Sequence, residues 1–266
     1  MNSPPYTELR AAWKELRSSG ALTLREVACT GAPRTLMLAE IPAEPGAPLV
    51  ALSAGVHGDE PAGPWALLSI VRDGLLDRRY SYRIWPCTNP SGYERGTRAN
   101  AEGDDINRSF HGGGKTPEAR AIVTANRDRR FALALDLHED YEAAGFYCYE
   151  PVMGGSAPLG TAIVRALDDD GLPVQNLDAD FDIGYPPEAH HLRTIERGHV
   201  RPDPAAERAF FEHLPYSLYM LRRAARRAVT LESPRTRPWS ERIAIHRVAA
   251  VAALGRLYAI SPSEVD

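Results

Sequence analysis

Apolar residues in this chain fall into two alternating patterns. Short continuous runs alternate with longer stretches whose apolar positions recur every three or four residues. Residues 6–18 carry Leu9, Trp13 and Leu16 on one side and predict an amphipathic first helix. Residues 22–27 and 35–41 predict two edge strands joined by a Gly-Ala-Pro turn. The run 48–56, PLVALSAGV, predicts a buried strand ending in small residues, and 61–76 the crossover helix that follows it. Residues 81–88, 131–137 and 228–231 are further short apolar runs that read as strands. Thr116 as N-cap and Pro117 at the first helical position open a predicted helix over 117–130. Residues 147–149 are expected to continue a strand after His138, and 157–169 to be helical. The stretch 171–204, rich in Pro, Asp, Gly and His, reads as a long irregular connection of the kind that frames a binding site. Helices follow over 204–227, broken near Pro215, and over 239–258. This alternation predicts an α/β fold, a mixed sheet with helices on both faces.

Composition narrows the picture. With 266 residues and 44% hydrophobic content, the chain is expected to form one large domain over 1–266. A net charge of -4 with interspersed signs leaves no electrostatic footprint for nucleic acid. No apolar stretch is long enough to span a bilayer, and the first residues lack the basic-then-apolar pattern of a signal peptide. Cys29, Cys87 and Cys148 are odd in number and dispersed, which argues for buried thiols in a reducing compartment, hence a cytoplasmic protein.

Candidate chemistry concentrates at the ends of the apolar runs. Val56-His57-Gly58-Asp59-Glu60-Pro61 places an imidazole and a carboxylate three residues apart on a strand-to-helix loop, where α/β sheets place their ligands. Pro61 biases Glu60 toward an extended conformation and suits the first helical turn. The third run delivers His138 at its end, and the fourth ends at Glu232. Two histidines and one carboxylate form the donor set of a His2Glu catalytic zinc site with one open position, and a second carboxylate is left over.

The ordered motifs sharpen this into a resemblance. The chain carries H-x-x-E at His57 and Glu60, N-P-x-G at Asn89 to Gly92, and G-T-R-x-N at Gly96 to Asn100. It continues with D-x-N-R-x-F at Asp105 to Phe110, D-L-H at Asp136 to His138, and E-S-P at Glu232 to Pro234. In this order, over residues 48–258, they resemble the zinc metallocarboxypeptidase family of the carboxypeptidase A type. The block 89–110 is most similar to the bacterial branch that includes murein-peptide amidases. Ser91 and Ser109 depart from that branch's usual Asp and Asn. The short interval from Glu60 to His138 is nearer to the compact bacterial members and to the succinylglutamate desuccinylase and aspartoacylase group.

The resemblance implies a single-domain α/β/α sandwich with a mostly parallel central sheet, and one zinc ion held by His57, Glu60 and His138. Glu232 would be the general base, Arg98 would stabilise the oxyanion, and Asn107 with Arg108 would grip a free carboxylate. Asp136 is placed either to orient a ligand or to cap a turn. Tyr185, Tyr216 and Tyr219 are candidates for an assisting tyrosine. His111, His190, His191, His199, His213 and His246 read as surface or loop residues rather than ligands. The expected activity is cleavage of a C-terminal amide bond of a small peptide. Deacylation of an N-acyl amino acid, as in the aspartoacylase group, is the alternative; that group usually carries a C-terminal β-rich domain, and the chain stops soon after residue 258. A non-catalytic binding module is the third reading, opposed by the presence of both the ligand triad and Glu232. Arg193, Arg197 and Arg201 raise the prospect of an acidic terminal group in the substrate.

Overall fold

The computed structural model describes residues 3–151, 157–177, 193–203 and 215–259. Nine strands form one mixed sheet in the order β1-β2-β4-β3-β5-β9-β6-β8-β7. They are β1 (Thr23–Val27), β2 (Leu36–Ile41), β3 (Leu49–Ala54), β4 (Ser81–Trp85), β5 (Leu133–Asp140), β6 (Tyr147–Tyr149), β7 (Arg193–Glu196), β8 (His199–Pro202) and β9 (Ala228–Pro234). The central four, β4-β3-β5-β9, are parallel, and antiparallel pairs flank them on both sides. Among the described residues seven α-helices flank the sheet: α1 (Tyr6–Ser18), α2 (Ala62–Arg72), α3 (Pro90–Arg95), α4 (Pro117–Asn126), α5 (Gly160–Asp169), α6 (Tyr216–Arg223) and α7 (Trp239–Ala259).

Successive strand residues face opposite sides, and here the two sides differ in kind. Leu133, Leu135 and Leu137 of β5, with Val50 and Leu52 of β3 and Leu231 of β9, pack against α1, α2, α5 and α7 in one apolar layer. Ala134 and Ala228 face the other way, toward α4 and α6, with Ile122, Tyr216, Tyr219 and Phe110. Small side chains on that face give way, two and four residues further along β5, to Asp136 and His138. One face of the sheet is thus closed by leucines, and the other opens into polar residues at the carboxyl ends of β5 and β9.

Several sequence-based expectations shift in the structure. β2 is internal, pairing with both β1 and β4, so only β1 is an edge at that side. Residues 147–149 do not extend β5 but form a separate strand antiparallel to β9. His138 and Glu232 lie inside their strands, because β5 and β9 stay paired as far as Asp140 and Pro234. Part of the connection 171–204 is regular, since β7 and β8 form a hairpin at the sheet edge. The expected helical stretch 204–214, Tyr185, His190, His191 and His213 lie outside the described residues. His199 and His246 are buried rather than at the surface, at 1% and 0% exposure. The three cysteines are buried and unpaired.

Candidate metal centre and catalytic cleft

β3 ends at Ala54, and the chain turns through Gly55 and Val56 to present His57, also buried. The turn depends on close backbone approach. A Cβ on Gly58 would lie 2.0 Å from the carbonyl carbon of Gly92, so only glycine fits between the His57 loop and the start of α3. Asn89 fixes the second wall of this junction. Its Oδ1 accepts from the Gly92 backbone at 2.9 Å, and its Nδ2 donates to the Arg98 carbonyl at 3.0 Å. The N-P-x-G motif is therefore an Asn-capped turn that sets the path of the chain to Arg98.

His57, Glu60 and His138 come together as a buried group whose donor atoms all lie within 4.8 Å of one another. Glu60 sits between the imidazoles, with Oε1 2.6 Å from His57 Nδ1 and Oε2 3.0 Å from His138 Nδ1. The far nitrogens face carboxylates. His138 Nε2 is 2.9 Å from Asp136 Oδ2, and His57 Nε2 is 3.4 Å from Asp105 Oδ1. Asp136 is itself held, accepting from Ser53 Oγ at 2.7 Å, which resolves its role in favour of orienting His138.

The electrostatics fit a cation. Burial alone would raise the Glu60 carboxyl, but His57 and His138 hold it well below the usual carboxylate range. Burial would likewise strip His138 of its proton, yet Asp136 and Glu60 overcome it and favour positive charge there. Three carboxylates around two imidazoles make this a point of concentrated negative charge, and His57, Glu60 and His138 could hold a metal ion there.

Glu232 stands beside this group. The β5–β9 register pairs His138 with Glu232, and the β6–β9 register pairs Glu232 with Tyr147, so the three share one face on one rung. The carboxyl of Glu232 is pushed well above its ordinary range by burial, opposed by His138 and reinforced by Glu60, Asp140 and Asp136. Among the described residues it makes no hydrogen bond or ion pair, with neighbouring arginines or otherwise. A cleft of about 380 Å³ opens here, lined by all three residues of the triad together with Glu232, Arg98 and Arg108.

The arginines differ. Arg98 donates through Nε and Nη2 to Asp105 Oδ2, at 3.1 and 3.0 Å, which aims Nη1 to 3.8 Å from Glu60 Oε1. Arg108 donates only to the Asn107 carbonyl, at 3.3 Å, and has no carboxylate partner among the described residues. Asn107 accepts from the Tyr216 backbone at 2.9 Å, so its oxygen anchors the start of α6 and only its amide nitrogen remains for a ligand. Tyr216 and Tyr219 pack on Phe110 and do not line the cleft. Arg197 is paired with Asp168, and Arg201 with Glu196, both away from the cleft.

Sequence reasoning overlooked a buried support behind Glu60. Glu139 receives Arg242 of α7 at 2.5 Å and the Ala62 backbone at the start of α2 at 2.8 Å. Its own backbone nitrogen donates to Glu60 Oε2 at 3.2 Å. The available signal was two acidic residues, Glu139 and Asp140, continuing an otherwise apolar run.

Fold and site together define a metallocarboxypeptidase-like protein. A candidate metallopeptidase from Shewanella amazonensis SB2B superposes with a TM-score of 0.70 at 25% identity, covering 95% of this chain and 92% of that one. A metallo-carboxypeptidase from Burkholderia cenocepacia (TM-score 0.67, 18% identity, 94% and 68% covered) shares the fold. So does carboxypeptidase A from Helicoverpa armigera (TM-score 0.62, 18% identity, 96% and 74% covered). Carboxypeptidase SOL1 from Arabidopsis thaliana is 32% identical over 127 residues; the match spans 40% of this chain and 25% of that protein. Residues 47–258 match the succinylglutamate desuccinylase/aspartoacylase catalytic domain, and the chain belongs to that family.

Proposed function

We propose that this protein is a zinc-dependent hydrolase that cleaves an amide bond next to a free carboxylate in a small substrate. The carboxypeptidase or peptide-amidase reaction is the first reading. Deacylation of an N-acyl amino acid is the second, favoured by the family match over residues 47–258. The observation that carries the proposal is the shared rung, which sets an unpaired Glu232 next to the His57, Glu60 and His138 group on one cleft.

One zinc ion per chain, held by His57, Glu60 and His138, would supply Lewis acidity and lower the pKa of water in the open position. Glu232, kept partly out of water, has the raised proton affinity that suits a base taking a proton from water and returning it to the leaving nitrogen. Arg98, held by Asp105 at the edge of the metal group, would stabilise the negative charge that develops on the former carbonyl oxygen. Arg108, without a carboxylate partner among the described residues, offers a guanidinium fork, the shape that binds a carboxylate through two parallel hydrogen bonds. Asn107 contributes its amide nitrogen and holds α6 in place. Among the described residues no helix is long and apolar enough to cross a membrane.

The test is hydrolysis of a panel of dipeptides, murein tripeptides and N-acyl amino acids, with metal content measured in parallel. Hydrolysis confined to substrates with a free carboxylate, abolished by a chelator and restored by zinc, is the expected result. Full activity after chelation, or none on any member of the panel by the zinc-loaded protein, overturns it.

A further inference from the structure

Behind the metal group lies a buried ion pair that the proposed reaction does not use. Glu139 follows His138 on β5, so its side chain leaves the opposite face of the sheet, among the helices of the closed side. Glu139 and Arg242 are 3% and 8% exposed. Arg242 lies in the first turn of α7, and its Nε donates to Glu139 Oε1 at 2.5 Å. The pair therefore joins β5 to a helix whose body, through Ile245, Ala249, Ala253 and Leu257, packs in the apolar layer.

Glu139 touches the segment of Glu60 twice. Its backbone N–H donates to Glu60 Oε2 at 3.2 Å, the oxygen that also lies 3.0 Å from His138 Nδ1. Its own Oε2 accepts from the Ala62 backbone at 2.8 Å. That second bond answers a local need. α2 starts at Ala62, its N-cap Pro61 makes no side-chain cap, and its first turn holds no acidic residue. The first N–H groups of a helix lack intrahelical partners, and a negative charge is favourable beside them. Glu139 supplies both acceptor and charge from another element. The start of α2, and Glu60 just ahead of it, is thus fixed by a carboxylate that Arg242 holds in turn. Removing either member of such a pair leaves an uncompensated buried charge. Any displacement of Glu139 that relieves it carries both contacts of the Glu60 segment along.

We propose that Glu139 and Arg242 are positioning residues that hold Glu60 between the two imidazoles, so that the docking of α7 on the closed face sets the affinity of the centre for a divalent cation. This rests on the reading of His57, Glu60 and His138 as zinc ligands. Because coupling is reciprocal, a bound cation should in return tighten the start of α2 and the first turn of α7.

Zinc affinity is measured by competition with a chromogenic chelator, alongside denaturant unfolding of each metal-free protein and hydrolysis of the substrate panel by the wild type. Arg242→Met and Glu139→Gln should each weaken zinc about tenfold or more. The double variant should lose no more than about twofold beyond the weaker-binding single one, since both substitutions break the same connection. Arg242→Lys, which keeps the charge, should recover part of the loss. Leu135→Ala, in the same apolar layer, lowers stability without touching the Glu60 segment and should bind zinc within about twofold of the wild type. Hydrogen exchange on the wild type needs no substitution. There, zinc should slow the amides of residues 62–66 and 242–246 more than those of α4.

Zinc affinities of both single variants within about twofold of the wild type overturn the inference, as do additive losses in the double variant. So does an equal loss in Leu135→Ala, which would tie affinity to stability alone, or exchange in α7 that zinc leaves unchanged. Zinc binding that depends on the pair, in a wild type that hydrolyses nothing, leaves the inference standing and removes the hydrolase reading. Zinc-dependent hydrolysis with an affinity indifferent to both substitutions does the reverse. A wild type that holds no zinc removes both.

Discussion

The two faces of the central sheet share their strands and have opposite tasks. On one, Leu133, Leu135, Leu137, Val229 and Leu231 are fully buried beneath α1, α2, α5 and α7. On the other, one residue out of phase, Asp136, His138, Thr230 and Glu232 line or support the cleft. The apolar face gains stability from area removed from water. The polar face must remove ionisable groups from water and offset the cost with partners, which it does by chaining Ser53, Asp136, His138 and Glu60. Among the described residues Glu232 is the member left without a partner, and it is the one proposed to move protons. Stability and reactivity thus occupy the two sides of the same strands, one residue apart.

Substitutions on opposite faces of neighbouring positions should give opposite signatures. The largest effect is expected from Glu232→Gln, which is nearly isosteric. It should lower turnover by roughly 10²–10⁴-fold, measured by steady-state kinetics, with zinc content and thermal stability unchanged. Near-normal turnover would remove Glu232 from the reaction. Leu135→Ala, on the closed face, should instead cost about 2–5 kcal/mol in denaturant unfolding with little change in zinc affinity. Its immediate neighbour Asp136 faces the other way. Asp136→Asn should leave the fold intact and weaken zinc binding about 10–100-fold in competition with a chromogenic chelator, because His138 loses its orienting carboxylate. If the two neighbours give the same signature, the division between faces is wrong.

The smallest predicted effect comes from His246, buried on the closed side. Burial in α7, aided by the charges of His138 and Arg242, lowers His246 to about 3. The unfolded chain binds a proton near the ordinary histidine pKa of about 6.5, and the folded protein does not. The associated stability is therefore complete above that pH and is lost as pH falls from about 6.5 toward 3. The slope reaches at most about 1.4 kcal/mol per pH unit. His246→Leu should flatten the pH dependence of chemical denaturation between pH 4 and 7. An unchanged slope would show that His246 takes up its proton in the folded state.

The stretches that the sequence pattern makes readable are those where one period dominates. The first helix spans Tyr6–Ser18, and the four central strands fall within or overlap the apolar runs, because a buried parallel strand is apolar on both sides for most of its length. The candidate metal-binding residues His57, Glu60 and His138, and the candidate base Glu232, were equally readable, since they interrupt or end those runs at strand-to-loop positions. Residues 147–149 were misread as an extension of β5. A three-residue apolar run says nothing about which strand it will pair with, and its partner β9 lies more than 80 residues away.

By itself, then, the sequence determined the alternation of strands and helices and offered the candidate metal-binding side chains His57, Glu60 and His138. These follow from local chemistry and a fixed repeat along the chain. Tertiary structure alone decided that Asp136 turns to His138, that Arg98 is tied to Asp105 while Arg108 has no carboxylate partner among the described residues, and that Glu139, held by Arg242, donates its backbone N–H to Glu60. It also decided that Tyr147 and Tyr149, rather than Tyr216 or Tyr219, line the cleft. The Glu139–Arg242 pair and the placing of the tyrosines depend on strand register and on contacts between residues far apart in the chain. A shift of one residue in the β6–β9 register would turn both tyrosines to the opposite face, and no local pattern in the sequence records that choice.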